Sequence, residues 1–131
     1  MPKAVMDELL ALEKFNINID TIKHSEWIKT IEVTERRFVD ELLVDLDLGE
    51  AEAIVLAKML NADWLLIDEV KGRDIAKKSG LRPIGLLGVL LLAKKEGVVN
   101  NVKSFIDRLV SKARFRISKE LYDRILLLAN E

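Results

Sequence analysis

Between Glu50 and Leu60 only Glu50, Glu52 and Lys58 are polar, and the middle of the segment is filled by Ala53, Ile54, Val55, Leu56 and Ala57. A helix that is apolar around its whole girth belongs inside a protein, not on its surface. After Asn61-Ala62-Asp63 comes Trp64-Leu65-Leu66-Ile67, a short apolar run ended by Asp68 and Glu69. A strand buried on both faces of a parallel sheet reads this way, and Trp64, like Trp27, is then most simply a core aromatic. A helix over about 71–79, closed by Gly80, and a short strand over 81–84 follow. Helix, strand, helix, strand in succession predicts an α/β fold with a short parallel sheet and covering helices.

The flanks extend the pattern. Pro2 suits a first helical turn, and Val5, Leu9 and Leu12 recur at helical spacing, which predicts a helix over about 2–14. Trp27, Ile28, Ile31 and Val33 suggest a short strand near 27–33, and Phe38, Leu42, Leu43 and Leu46 a helix over about 35–46. Residues 85–96 form a further apolar helix, with Gly85 and Gly88 permitting close approach of another element and Gly97 as a C-cap. Two more helices are expected over 102–112 and 118–130, the second capped by Ser118. No repeat or linker divides the chain, so its 131 residues are expected to form one domain.

Composition narrows the chemistry. There is no cysteine, which removes disulfides and thiolate metal sites and fits a cytoplasmic protein. The start has no charged region followed by an apolar core, and the longest apolar run, Ile84 to Ala93, is too short to span a bilayer, so no membrane association is expected. His24 is the only histidine, and no Gly-x-Gly-x-x-Gly or Walker loop occurs. The formal charge of −1 hides an asymmetry: residues 32–52 carry eight acids against Arg36 and Arg37, whereas residues 103–119 carry Lys103, Arg108, Lys112, Arg114, Arg116 and Lys119 against Asp107. A solvated helix face with its loop is the simpler account of the basic segment, and a nucleic-acid contact is the alternative.

Connectivity gathers the acids. A helix that precedes a parallel strand begins beside the strands' carboxyl ends. Glu50 and Glu52, at the start of one helix, and Asp68 and Glu69, at the end of the next strand, are therefore expected on one edge. The helix start itself favours ionised carboxylates by about 0.3–1 kcal/mol each when exposed. Glu8 joins them, lying among Ala4, Ala11 and Leu12 on a helical wheel, while Asp7 lies toward Lys3. Carboxylates converging without matching cations raise one another's pKa and call for a cation, and hard oxygen donors suit Mg²⁺ or Mn²⁺. Lys71 and Arg73 begin the next helix on the same edge, where they would hold a phosphate. Ordinary helix-start and loop positions account for the same acids without a site.

Six segments together resemble the PIN-domain-like proteins: Pro2-Lys3-Ala4-Val5-Met6-Asp7-Glu8-Leu9, Leu48-Gly49-Glu50-Ala51-Glu52-Ala53-Ile54, Leu65-Leu66-Ile67-Asp68-Glu69, Gly72-Arg73, Ile84-Gly85-Leu86-Leu87-Gly88-Val89-Leu90 and Ile117-Ser118-Lys119-Glu120-Leu121-Tyr122. The resemblance implies a three-layer α/β/α fold and a Mg²⁺- or Mn²⁺-dependent ribonuclease acting on single-stranded RNA, often the toxin partnered by an antitoxin protein. It implies that Glu8, Glu50 and Asp68 are acids of the site, with Glu52 and Glu69 their neighbours and Lys71 and Arg73 auxiliary. In such a mechanism carboxylates hold one or two ions that activate the attacking water and stabilise the leaving oxygen. Family members open with a strand ending in the first acid, and this chain begins just after that point. The expectation is therefore either a natural product longer than this sequence or a shortened form lacking one ligand and a central strand, whose open sheet edges favour a homo-oligomer. A non-catalytic nucleic-acid-binding or protein-assembly module is the alternative function.

Overall fold

The computed structural model describes residues 1–131, which fall into two compact units, Met1–Pro83 and Ile84–Glu131. In the first, α1 (Lys3–Ala11) runs into a 3-10 turn (Leu12–Phe15), followed by α2 (Asp20–Lys23), α3 (Arg36–Leu42), α4 (Leu48–Met59), β1 (Leu65–Leu66) and α5 (Val70–Lys78). β2 (Pro83–Ile84) pairs with β1 in a short parallel sheet, the Leu65 N–H donating to the Arg82 carbonyl at 3.0 Å. The second unit contains α6 (Leu86–Lys95), α7 (Val102–Ala113) and α8 (Lys119–Leu128). No helix is long and apolar enough to cross a membrane.

The apolar helix takes the central place that its composition demands. α4 packs against α1, α3, α5 and β1, and Ala51, Ile54, Val55, Leu56 and Ala57 are all buried with Val33, Val39, Leu46, Leu65, Ile67 and Ala76. Burying such side chains contributes about 1.5–3 kcal/mol apiece for the larger ones, which is the main force holding this unit together. One polar side chain shares that interior. Glu52 is 6% exposed; its Oε2 accepts the Ala4 N–H at 3.1 Å and its Oε1 accepts Arg36 Nη1 at 2.6 Å. One carboxylate thereby ties α1 and α3 to α4.

The predicted strands are shorter than the sequence suggests. The apolar residues of 27–33 yield only an isolated parallel bridge between Pro2 and Ile31, made by Lys3 N–H to Ile31 O and Ile31 N–H to Met1 O, each 3.0 Å. Trp27 is 83% exposed, so it is no core residue. Trp64-Leu65-Leu66-Ile67 is buried on one face only: Leu65 and Ile67 are inside, while Leu66 and Trp64 face out. β1 has a single strand neighbour, so the alternation of an edge strand replaces the continuous burial of a central one. Trp64 stacks under the Arg82 guanidinium, 4.5 Å from the ring centroid, an arrangement suited to a half-exposed indole.

The helix expectations match more closely. The structure adds α2 where the sequence carried no clear pattern, and it shortens the helix predicted over 35–46 to Arg36–Leu42. In the second unit, Val102 and Ile106 of α7 pack on Ile125 and Ala129, with Leu87, Leu90, Leu91, Val99, Ile117 and Tyr122 around them. The start of α7 is satisfied by side chains, as helix N-termini require. Asn101 Oδ1 accepts the Ser104 N–H at 2.7 Å, and the Glu131 carboxylate accepts the N–H groups of Val102 at 2.7 Å and Lys103 at 3.2 Å while pairing with Lys94 at 2.7 Å. Asp107 joins α7 to α8, accepting from Lys103 Nζ at 2.6 Å and the Tyr122 hydroxyl at 2.8 Å.

Two stability measurements follow from these ties. Arg36→Ala leaves a buried carboxylate without its cation and is expected to lower the unfolding free energy by about 2–4 kcal/mol, less than for a wholly enclosed pair because the guanidinium is half exposed. Glu52→Gln keeps the volume and one acceptor and is expected to cost about 1–2 kcal/mol in urea unfolding. For the second unit, the Lys94 bond holds the Glu131 carboxyl below its ordinary 4.5, and Lys103 and then Tyr122 hold Asp107 below 3.8. Depressed values in the folded state mean stability that is present above those ordinary values and lost as pH falls through the folded ones. Protection factors of α7 amides, which correct for the slower intrinsic exchange at low pH, are expected to fall on acidification, and Glu131→Gln is expected to flatten that dependence.

Candidate functional site

α4 begins where Asp47 caps it, the Asp47 Oδ1 accepting the Glu50 N–H at 2.8 Å. α5 begins in the same manner at Glu69, whose Oε2 accepts the N–H groups of Lys71 at 2.6 Å and Gly72 at 3.4 Å. Both helix starts and the end of β1 open on one cleft of about 320 Å³, which Val5 and Glu8 of α1 also line. Five carboxylates therefore share it: Glu8, Asp47, Glu50, Asp68 and Glu69.

Two glycines set the close approaches. A Cβ at Gly49 would lie 2.8 Å from Glu8 Oε1, so α1 can hold Glu8 against the start of α4 only because that position has no side chain. A Cβ at Gly72 would lie 2.5 Å from Ile67 Cδ1 and 3.4 Å from Glu50 Oε1, which places the start of α5 directly against the end of β1 and beside Glu50. The charges are mutually felt. Burial pushes the Glu50 carboxyl above its ordinary value, and Asp47, Glu69 and Glu8 push it further, against the backbone hydrogen bond at Asp47. The positive ends of α4 and α5 offset part of this repulsion.

Of the acids expected at this edge, Glu8, Glu50, Asp68 and Glu69 all line the cleft. Glu52 does not: its neighbour-but-one position on the helix turns it inward, where Ala4 and Arg36 occupy both of its oxygens. Lys71 is paired with Asp45 at 2.6 Å, so its ammonium already has a counter-ion. Arg73 sits half buried on the first turns of α5 and does not line the cleft. Asp47 is the member that sequence reasoning missed, although an acid three residues before Glu50 is the spacing of a helix cap and was there to be read. A second cleft of about 500 Å³, between α3 and α4, is lined mainly by Phe38, Leu42, Ile54, Val55 and Met59 and gathers no comparable set of acids.

Hard carboxylate oxygens are the donor type that Mg²⁺ and Mn²⁺ prefer. The placement is less favourable: no group of three histidine, aspartate or glutamate side chains is set to hold a metal ion. Asp47 and Glu69 direct oxygens at backbone N–H groups, and these caps stabilise the helices whether or not a cation is present. The residues thus fit a divalent ion in chemistry but do not form a metal centre as they stand.

Comparison with known protein families matches the chain over residues 1–131 to a family described as a PIN domain. Neither the curated proteins nor the solved structures contain a match.

The raised Glu50 carboxyl gives a direct check on the cleft. A carboxyl raised in the folded state weakens the fold when ionised, and the fold regains that stability as pH falls through the raised value. Glu50→Gln is therefore expected to raise the thermal midpoint by a few degrees at neutral pH. The gain is expected to shrink as pH approaches the ordinary value of 4.5, a trend that differential scanning calorimetry across pH would follow.

Proposed function

The chain belongs to the PIN-domain family, and from that premise we propose that it is a ribonuclease that cuts single-stranded RNA at the carboxylate cleft, with Mg²⁺ or Mn²⁺ as cofactor. In this reading it is the toxin-type component of a pair whose second member is an antitoxin protein. The observation that supports it most is the meeting at one cleft of Glu8 from α1, Glu50 from α4 and Asp68 from the end of β1.

The chemistry of these residues suits hydrolysis of a phosphodiester. A carboxylate made more basic by burial and by neighbouring acids is a better proton acceptor than an exposed one, so Glu50 is the residue to take the proton from an attacking water. Glu8 and Asp68, which line the same cleft, would orient that water. An anionic phosphodiester is repelled by such a cleft, and a divalent ion, when bound, would supply the missing countercharge. A non-catalytic module that binds RNA is the second reading, favoured by the absence of a formed three-donor centre.

Labelled single-stranded RNA incubated with Mn²⁺ separates the two. Cutting is expected in the parent, and Glu50→Gln and Asp68→Asn are each expected to reduce its rate by about 100-fold or more. Undiminished cutting in both variants would remove the cleft from the chemistry, and binding without any cutting would favour the second reading.

A further inference from the structure

The second unit carries nine basic and five acidic residues, against twelve and seventeen in the first. Two of its five acids are spent internally, Asp107 on Lys103 and Tyr122, and Glu131 on Lys94 and the start of α7. Of the seven basic residues left over, Arg108, Lys112, Arg114, Arg116 and Lys119 fall on α7 and the turn into α8, all exposed and none in a salt bridge. We propose that this segment, α7 and the turn into α8, is a surface that binds the backbone of single-stranded nucleic acid.

Geometry groups the five. Arg108 and Lys112 lie one turn apart on α7, and Phe105, 38% exposed, falls on the same side by the helical repeat. At the end of α7 the chain turns through Arg114, whose φ of 54° is left-handed, and the Phe115 N–H returns to the Leu109 carbonyl at 3.0 Å. Arg116 follows at once, then the Ser118 cap and Lys119 at the start of α8. Five cations thus fall within twelve residues of chain that folds back on itself.

Helix electrostatics explain only part of this. The negative end of α7 favours Lys112 and Arg114. It does not call for Arg116, and Lys119 stands in the first turn of α8, where the helix dipole disfavours a cation. Lys119, placed against that preference, and Arg116, outside either helix, are in no ion pair and are better accounted for by an external anion. An exposed aromatic ring beside unpaired cations is the combination that single strands use, the ring stacking on a base and the cations taking the phosphates. The surface deepens the nuclease reading, on which its part in substrate capture rests, yet it stands on residues remote in sequence from the acidic cleft.

Fluorescence anisotropy with a labelled single-stranded RNA in EDTA tests the surface without any cutting. The parent is expected to bind with strong salt dependence. The triple variant Arg108→Gln, Lys112→Gln, Arg116→Gln is expected to bind about tenfold or more weakly, with a log–log salt slope smaller by about 2. The charge-preserving Arg108→Lys, Arg116→Lys variant, which guards against misfolding, is expected to keep the parent slope, as is Lys77→Gln, Lys78→Gln at the end of α5. Parent-like binding by the triple variant would overturn the proposal, as would a parent that shows no salt-dependent binding. A triple variant that changes oligomeric state in gel filtration while binding RNA normally would assign the charges to a second copy and equally overturn it. Cutting scored separately with Mn²⁺ keeps the two ideas apart: binding without cutting sinks the nuclease reading alone, and cutting with a parent-like triple variant sinks this one alone.

Discussion

The buried Glu52 carboxylate is the tie on which the first unit's arrangement turns. It sits in the central helix, takes the Ala4 N–H from the start of α1 with one oxygen and the Arg36 guanidinium with the other, and has almost no water to replace either partner. A buried carboxylate that loses a partner costs more than the bond was worth, because the desolvated charge stays behind. α1 and α3 are consequently held at fixed places on α4. The position of α1 then decides where Glu8 lies, since Glu8 follows Ala4 by one helical turn and reaches the start of α4 over the bare backbone of Gly49.

The cleft that results concentrates negative charge in a way the fold tolerates without a cation. Two of its five carboxylates are helix caps, and the positive ends of α4 and α5 face the same space. What remains uncompensated is felt at Glu50, the partly buried member, whose carboxyl is raised first by burial and then by three acidic neighbours. Strain of this kind is common where a group is kept poised for proton transfer or for a ligand that neutralises it. The opposite charge is concentrated in the second unit, where the acids are consumed in holding α7 to α8 and to the chain end and the surplus cations stay in solvent. The near-neutral total conceals two surfaces of opposite sign.

Much of this was legible in the residues, and the failures have physical causes. The apolar girth of residues 50–60 left α4 no place but the interior, and the alternation with Leu65–Leu66 and Pro83–Ile84 required an α/β arrangement. Asp68 and Glu69 had to come near Glu50 because a strand end and a helix start meet by connectivity. Strand extent was not legible: an apolar run such as Trp64 to Ile67 reads the same for a central strand and for an edge strand, and only the neighbours decide which it is. Trp27 and Trp64 misled for a related reason, since an aromatic ring can leave the core when a cation stacks on it, as Arg82 does on Trp64, or when local hydrogen bonds hold its segment at the surface.

The sequence alone determined the kind of fold, the central helix, the cap at Ser118, and the separation of acidic from basic segments, because each is a property of pattern along the chain. Tertiary structure alone decided what each charged side chain does. Glu50 and Glu52 are two residues apart and chemically alike, yet a 200° turn of the helix points one at the cleft and the other at the core. Lys71 found Asp45 instead of an open phosphate site for the same reason: partners brought close by folding, and not by sequence, choose where a charge is spent.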